Sequence, residues 1–308
     1  MEDEIRKKIL REEMKKKNQG KSITTAKYHP HYPDSIEREY IRLVNEYMMI
    51  EKQIIQKYIP ELKRIIGEGT APTLNTDSKR DNERKRKHTR MEKLSNIIRL
   101  QNLFETILRE LESAFGLFRL SKMLKRIADL EHKLSVKEWK KVISKTFGIN
   151  LLEDYYSGDV YEELLRKWVS DNVDLIKQVP KESLGKMKEI VYESYMNGVT
   201  TTDIVKAIQR QYGIDKRHAK LIARDQTSKL NAALTQHQQR DAGVEKYEWD
   251  DSHDKRVRDG HRRLRGMVFS WNSPPETAKG RRCHPGEDYQ CRCCALPVFD
   301  IDKLDLPV

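Results

Sequence analysis

The chain has 308 residues, 35% of them charged, and a mean hydropathy of −0.82, so its apolar core is thin for its length. Lys and Arg outnumber Asp and Glu by 60 to 48, giving a net charge of +12, which favours polyanionic partners such as nucleic acid. These values favour an elongated helical protein over a compact enzyme, and no apolar run approaches the roughly 18 residues of a membrane span.

The first 32 residues carry charges of both signs and few apolar positions. This pattern is typical of a frayed helix or of an arm that becomes ordered on a partner. The start of the chain also lacks the apolar core of a signal peptide, so we expect the protein to fold in a cytoplasm.

Residues 33–134 are predicted to form a long helical hairpin. Apolar residues recur every three or four positions from Ile36 to Ile65 and again from Leu94 to Leu130, the period of amphipathic helices. Pro60 is expected to kink the first helix. The two helices are predicted to pair in antiparallel fashion.

A basic linker, residues 67–90, is predicted to connect the two helices. From Lys79 to Arg90 it contains seven basic and two acidic residues and nothing apolar to bury. Clustered basic side chains bind phosphates through counterion release without a defined fold. The candidate DNA-binding residues are Lys79, Arg80, Arg84, Lys85, Arg86, Lys87 and Arg90. A merely solvated linker is the alternative.

Residues 135–243 are predicted to form a helical domain, and residues 244–308 a small α+β module. Ser135 and Glu138 have the spacing of a capping box, and Gly213 is expected to end a helix before another over Asp215–Asp241. In the module, strands are predicted at Tyr247–Trp249 and Met267–Phe269, with a helix over Asp254–Leu264 between them. The predicted fold class is mainly α with a small C-terminal α+β part.

All four cysteines lie within twelve residues, from Cys283 to Cys294. In a reducing compartment such crowding indicates metal binding or plain packing before a disulfide. The pairs lack the two-residue gap that is common in zinc sites, so zinc, free thiols and a disulfide all remain open. The candidate metal ligands are Cys283, His284, Cys291 and Cys293.

Asp254, Arg256, Arg258 and His261 allow two interpretations. Arg grips phosphate and His titrates near neutral pH, so the group has the chemistry of a phosphate site or of acid and base catalysis. In the structural interpretation, which we favour, Asp254 caps a helix while the arginines bond to loop carbonyls and carboxylates.

Several residues of the module occur in a dense and ordered pattern. They are Trp249, Asp254, Arg256, Arg258, His261, Gly266, Pro285, Gly286, Cys291, Arg292 and Cys293. This pattern, with the preceding segment Ala219–Asn231, resembles the head-morphogenesis domain of MuF-like minor capsid proteins of tailed bacteriophages. The resemblance covers about residues 181–299.

The resemblance implies a minor head protein that is incorporated into the procapsid in few copies and binds the portal protein. It implies a place inside the virion capsid at the portal vertex, with double-stranded DNA as a further partner and the scaffold or major capsid protein as additional candidates. It implies a role in head morphogenesis and in DNA packaging or ejection, and no catalytic activity. We expect the portal-binding determinants within residues 30–240.

The rival interpretation is a metal-dependent nuclease. It would use His253 or His261 with Asp250, Asp254 and the cysteines, since nucleases gather carboxylates or histidines around a divalent ion. From Ala242 onward the chain has twelve basic and twelve acidic residues, and this neutrality argues against the module as the part that grips DNA.

Overall fold

The structure is a computed structural model that describes residues 2–68, 79–151 and 158–306. For residues 2, 3, 68 and 79–90 it describes the backbone alone. Within these ranges the chain forms seven helices: α1 (Glu2–Lys17), α2 (Asp34–Glu68), α3 (Lys79–Leu117), α4 (Leu120–Phe147), α5 (Asp159–Met196), α6 (Thr201–Asp241) and α7 (Asp259–Leu264). The described strands are β1 (Ile23–Thr25), β2 (Lys246–Asp250), β3 (Val268–Ser270), β4 (Glu276–Ala278), β5 (Arg281–Arg282) and β6 (Cys294–Asp300). The mainly α class with a small C-terminal α+β part is confirmed.

The chain divides into two compact units. The sheet unit contains Met1–Ile41, Ser121–Asn172 and Ala223–Val308, and the bundle unit contains Arg42–Leu120 and Val173–Ile222. Both units are therefore assembled from separate stretches of sequence, whereas our sequence analysis divided the chain into consecutive domains. The reason is that α2, α5 and α6 each begin in one unit and end in the other.

The core of the bundle unit is built by α2, α3 and the adjoining parts of α5 and α6. The rings of Tyr47 and Phe115 stack at 4.2 Å, and Lys57 donates to Glu110 at 2.8 Å. Residue numbers rise along α2 as they fall along α3, so the two helices are antiparallel. The antiparallel pairing of the predicted hairpin is confirmed, but its second helix ends at Leu117 rather than Leu130, because the chain turns at Arg119 (φ +52°) and begins the separate helix α4. Leu184 to Ile208 complete the core.

Local stop and start signals were wrong at two positions. Helix α6 continues through Gly213, and α4 continues through Ser135, which is buried and donates to Gln238 at 3.1 Å. An interior glycine costs about 1 kcal/mol, whereas burial of one large apolar side chain contributes about 1.5–3 kcal/mol. The burial of Ile208, which is 4% exposed, therefore stabilises the continuous helix by more than Gly213 destabilises it.

The predicted linker also ends earlier than expected. Helix α3 begins at Lys79, so the basic residues 79–90 form its first turns. Residues 69–78 of the predicted linker lie outside the described part of the chain. Helix α2 in turn runs through Pro60 without interruption.

The main sheet of the sheet unit has the strand order β1-β6-β2-β3, and each pair is antiparallel. The central partners are β2 and β6, in a register that places Trp249 opposite Ala295. Strands β2 and β3 confirm the two predicted strands. The predicted helix between them is shorter, since α7 begins only at Asp259.

The N-terminal segment contributes a strand to this sheet, contrary to the prediction of a frayed helix or of an arm that becomes ordered on a partner. Strand β1 pairs with β6, with Thr25 opposite Val298. Arg11 donates to the carbonyl of Leu304 at 2.8 Å, and Met14 is only 1% exposed. Two elements nearly 300 residues apart in sequence are therefore neighbours.

The helices that the structure describes were compared with the requirements of a membrane span, and none of them is both long enough and apolar enough to cross a bilayer.

A carboxyl group is buried in the bundle unit. The side chain of Glu51 is completely buried, and burial raises its pKa from 4.5 to about 8, with the charge of Asp215 adding to the effect. The folded state therefore retains a proton that the unfolded chain releases at much lower pH. This arrangement stabilises the fold fully below pH 4.5, and the contribution is lost as the pH rises through the folded pKa.

We predict that Glu51→Gln makes stability less dependent on pH. In the unsubstituted protein the free energy of unfolding should fall between about pH 5 and pH 8, by an amount on the order of a few kcal/mol. The Gln side chain has no proton to lose, so the variant should lose less. Urea unfolding at pH 5, 6.5 and 8 measures the difference.

The matched control is Glu163→Gln, at an exposed position of α5. Its stability profile should run parallel to that of the unsubstituted protein. A Glu51→Gln profile with the same slope as the control would contradict the assignment of a neutral buried carboxyl.

Candidate metal centre and adjoining cavity

Three potential metal ligands meet in the sheet unit. His261, Cys291 and Cys293 are buried, and their ligand atoms all lie within 4.8 Å of one another. His261 Nδ1 is 3.4 Å from the sulfur of Cys291 and 3.5 Å from that of Cys293. Imidazole nitrogen and thiolate sulfur are ligands that zinc prefers, so this cluster could hold a metal ion.

The local fold places these side chains. His261 lies on α7, and the two cysteines lie in the loop directly before β6. Helix α7 approaches β4 so closely that a Cβ on Gly260 would lie 2.0 Å from the carbonyl oxygen of Thr277. Only glycine permits this approach, which fixes the position of the neighbouring His261. The indole of Trp249 packs edge-on against the His261 ring at 5.3 Å.

Asp288 orients the imidazole ring of His261. Its carboxylate accepts a hydrogen bond from His261 Nε2 at 3.0 Å, and it is itself held by Arg281 at 2.6 Å and by the backbone N–H of Tyr289 at 2.7 Å. This bond assigns Nε2 as the donor and directs Nδ1 to the sulfurs. A carboxylate behind a metal-binding histidine is the usual arrangement in zinc proteins.

The electrostatics of the cluster favour a thiolate. The pKa of Cys291 is lowered to about 5, because Cys293 and then His261 donate hydrogen bonds to its sulfur. The pKa of His261 is raised, chiefly by its hydrogen bond with Cys291 and also by Asp288. The same contact with Cys291, together with burial, raises the pKa of Cys293. The thiolate is the form in which cysteine ligates metals.

Two of the predicted ligands lie elsewhere. The sulfur of Cys283 contacts the hydroxyl of Thr277 at 3.3 Å. His284 Nδ1 lies 2.8 Å from the hydroxyl of Tyr247, and its ring packs on Trp271. Of the predicted ligands, Cys291 and Cys293 lie together with His261, which sequence spacing alone did not select, whereas Cys283 and His284 do not join this group.

The charged residues of the motif bind one another and the backbone. Asp254 forms an ion pair with Arg292 and accepts from the backbone N–H of Arg256 at 2.8 Å. Arg258 donates to the carbonyl of Tyr289 at 2.6 Å. Asp254 does not cap α7 as we expected, because the helix begins after Arg258 and has no side-chain cap.

The glycines of the motif occupy turns. Gly266 has a φ of +75° and donates to the carbonyl of Trp249 at 2.8 Å, which turns the chain from α7 into β3. Gly286 follows Pro285 and has a φ of +85°, and a Cβ there would lie 2.7 Å from that of Ala232. Glycine therefore allows the Pro285–Gly286 turn to pack against α6.

A cavity of about 290 Å³ lies beside the cluster, and all three potential ligands line it. Its other lining residues are mostly charged or hydroxylated: Arg224, Arg256, Arg258, Arg292, Asp34, Glu37, Tyr32, Ser228, Ser252, Val257 and Gln290. Four arginines face two carboxylates, so the lining carries a net positive charge.

Of the residues proposed for a nuclease, His261 meets Cys291 and Cys293, whereas His253, Asp250 and Asp254 lie in other contacts. His253 Nε2 lies 2.8 Å from Asp250, whose other oxygen contacts His29 at 2.9 Å, and Asp254 pairs with arginines. In the part of the chain that the structure describes, the group able to hold a metal consists of His261 and two cysteines. Carboxylates therefore do not join histidines around one ion position.

The candidate DNA-binding residues, Lys79 to Arg90, lie on the first three turns of α3. Their side chains are outside the described part of the structure. Directly after them Met91, Leu94 and Ile98 are 72%, 59% and 50% exposed. Their spacing of three and four residues places them on one helix face.

The chain was compared with known proteins. Residues 185–296 match the family described as "Phage Mu protein F like protein", which confirms the resemblance found in the sequence. An "Uncharacterized protein" of Haemophilus influenzae is 35% identical over 153 residues, which cover 50% of this chain and 33% of that protein. The chain therefore matches about a third of the length of this curated relative. No solved structure matches the chain.

Proposed function

Because residues 185–296 carry a Phage Mu protein F-like domain, we propose that this chain is a minor head protein of a tailed bacteriophage. It is incorporated into the procapsid in few copies, binds the portal protein at one vertex and contacts packaged DNA. The match over residues 185–296 is the observation that carries the proposal. Its place in the virion is the capsid interior, and it assists head morphogenesis and DNA packaging or ejection.

The geometry of the module supports a structural role. The motif residues Asp254, Arg258 and Arg292 bind loop backbone and one another, and Gly266 and Gly286 form tight turns. Such contacts give an irregular module with a small core a fixed shape, which assembly requires. The proposed protein has no enzymatic activity.

DNA binding is proposed for the first turns of α3. The net charge of +12 lies entirely before Ala242, since the segment from Ala242 to Val308 is neutral. Within the part of the chain before Ala242, the twelve residues from Lys79 to Arg90 include seven basic and two acidic residues. Phosphate contacts of this kind carry no sequence information, so binding is non-specific.

We predict that replacing these seven basic residues with Gln weakens binding to double-stranded DNA and reduces its salt dependence. The slope of log affinity against log salt should fall by about 0.9 for each phosphate contact that is lost. Fluorescence anisotropy with a labelled duplex of arbitrary sequence, over a range of salt concentrations, measures both effects.

A charge-matched control replaces seven exposed basic residues elsewhere, namely Arg119, Lys122, Lys125, Arg126, Lys133, Lys137 and Lys145. It should keep most of the salt dependence of DNA binding, and equal slopes in the two variants would remove α3 from the DNA interface.

The recovered DNA should be uncut with magnesium, manganese or zinc present. Cleavage that disappears in His261→Ala would establish the nuclease instead.

Portal binding is proposed for the bundle unit, within the predicted residues 30–240. A component that occupies one vertex needs a specific protein interface, because charge alone does not distinguish one vertex from other surfaces. Met91, Leu94 and Ile98 offer an exposed apolar helix face, and such a face docking on a groove is a common recognition mode. It lies directly beside the proposed DNA-binding turns.

We predict that the triple substitution of Met91, Leu94 and Ile98 by Gln weakens co-purification with the matching portal protein by at least about tenfold, because buried apolar anchors dominate such interfaces. The control substitutes three similarly exposed apolar residues of the sheet unit, Ile5, Ile9 and Val160. Full-length variants are required, because strand β1 completes the C-terminal sheet. Loss of binding in the control alone would place the interface in the other unit.

Zinc is the ion that we propose for the cluster of His261, Cys291 and Cys293. Two thiolates and an imidazole favour zinc over magnesium or calcium, which prefer oxygen ligands. In a module with a small core, such an ion adds stabilising free energy.

We predict about one zinc per chain in full-length protein purified without chelators, as measured by elemental analysis. Cys293→Ser should remove most of it, because a thiolate ligand is lost. Cys283→Ser is the matched control and should retain zinc, since Cys283 contacts Thr277 instead. The reverse outcome would restore the set that the sequence suggested.

A further inference from the structure

The proposed zinc site has three protein ligands, whereas zinc is usually bound by four. In the described part of the chain, the group of potential ligands consists of His261, Cys291 and Cys293. Zinc sites are almost always tetrahedral, and those with three protein ligands complete the set with water or a ligand from outside. All three residues line the same cavity, so the fourth position would face it.

The cavity is suited to an anion. Arg224, Arg256, Arg258 and Arg292 line it, against the two carboxylates of Asp34 and Glu37. Arginine has five N–H donors in a planar fork that matches phosphate oxygens.

Several of these arginines are held by partners in the same unit. Arg224 pairs with Glu37 at 3.0 Å, Arg292 pairs with Asp254, and Arg258 donates to Tyr289. Arg258 also pairs with Asp288 at 3.7 Å. A guanidinium has five N–H donors, so these contacts engage some of them while the partners restrict the side chain. The arginines are therefore positioned before a ligand binds, which reduces the entropic cost of binding.

The size of the cavity limits its ligand. At about 290 Å³ it lies at the lower end of the range for small-molecule sites, roughly 300–1,000 Å³. It accommodates a phosphate group with part of what is attached to it, and it excludes a DNA duplex.

We propose that the ion held by His261, Cys291 and Cys293 takes a phosphate oxygen as its fourth ligand, and that the arginines of the cavity bind the remaining oxygens. The ligand class is a phosphate or phosphate ester. This inference rests on the proposed zinc site, and it adds a phosphate-binding site separate from the basic turns of α3. The step is binding alone, with no bond made or broken in the ligand.

The test uses full-length protein loaded with Co²⁺, whose visible absorption reports the ligands of the ion. As inorganic phosphate is added, the absorption spectrum should change until the site is saturated. The ³¹P resonance of the phosphate should broaden when phosphate binds the paramagnetic ion. A thymidine dinucleotide with one phosphodiester forms a second arm. Saturation by the dinucleotide at lower concentration would identify a nucleic-acid phosphate as the preferred source, and saturation by phosphate alone would identify the free anion.

Arg256→Gln should weaken phosphate binding by about tenfold, the loss of one charged hydrogen bond, with cobalt content unchanged. Arg256 is suitable because its side chain is 74% exposed. Arg256→Lys keeps the charge but loses the fork, and should give an intermediate affinity. The control is Arg263→Gln, on α7 but not among the residues that line the cavity.

Bound cobalt with a spectrum and a ³¹P line width that do not respond to phosphate would overturn this inference and leave the zinc site intact. Equal phosphate affinities in Arg256→Gln and Arg263→Gln would also overturn it. Failure to take up Co²⁺ or Zn²⁺ would refute the metal site itself, and with it this inference.

Discussion

Strand β6 is hydrogen-bonded on both of its edges, to β1 on one side and to β2 on the other. The two chain ends, the long α6 that precedes β2 and the cysteine loop that precedes β6 all depend on this double pairing. Phe299 of β6 is completely buried, and the centre of its ring lies 5.0 Å from that of Phe147 on α4. The strand therefore also anchors this helix. Without β6, neither the sheet nor the position of Cys291 and Cys293 would be defined.

Polar contacts carry much of the remaining structure, as the low mean hydropathy requires. Gln239 of α6 donates to the carbonyl of Ala295 at 2.8 Å and accepts from the indole N–H of Trp271 at 3.1 Å, so one buried amide ties a helix to the module. Such satisfied buried groups fix a unique arrangement where apolar area is limited.

The residues of the motif pattern serve both the structure of the module and the candidate site. Asp288 orients His261 and is held by Arg281, while Gly260 admits α7 to its position against Thr277. The same contacts that stabilise the module therefore arrange three potential metal ligands beside an arginine-lined cavity. The proposed structural role and the proposed phosphate-binding site are compatible in one module, because binding requires no reaction.

The sequence by itself determined the features that depend on neighbouring residues. Helical periodicity predicted the pairing of α2 with α3, and the two short strands β2 and β3 were predicted as well. The order of the motif residues indicated the resemblance that the match over residues 185–296 confirms. Local signals were less reliable where burial opposed them, as at Ser135 and Gly213. Only the tertiary structure decided that β1 joins the sheet beside β6 and that His261, rather than Cys283 or His284, meets Cys291 and Cys293. Those contacts join residues that are thirty to nearly three hundred positions apart, and spacing along a chain cannot report a distance that the packing of intervening elements creates.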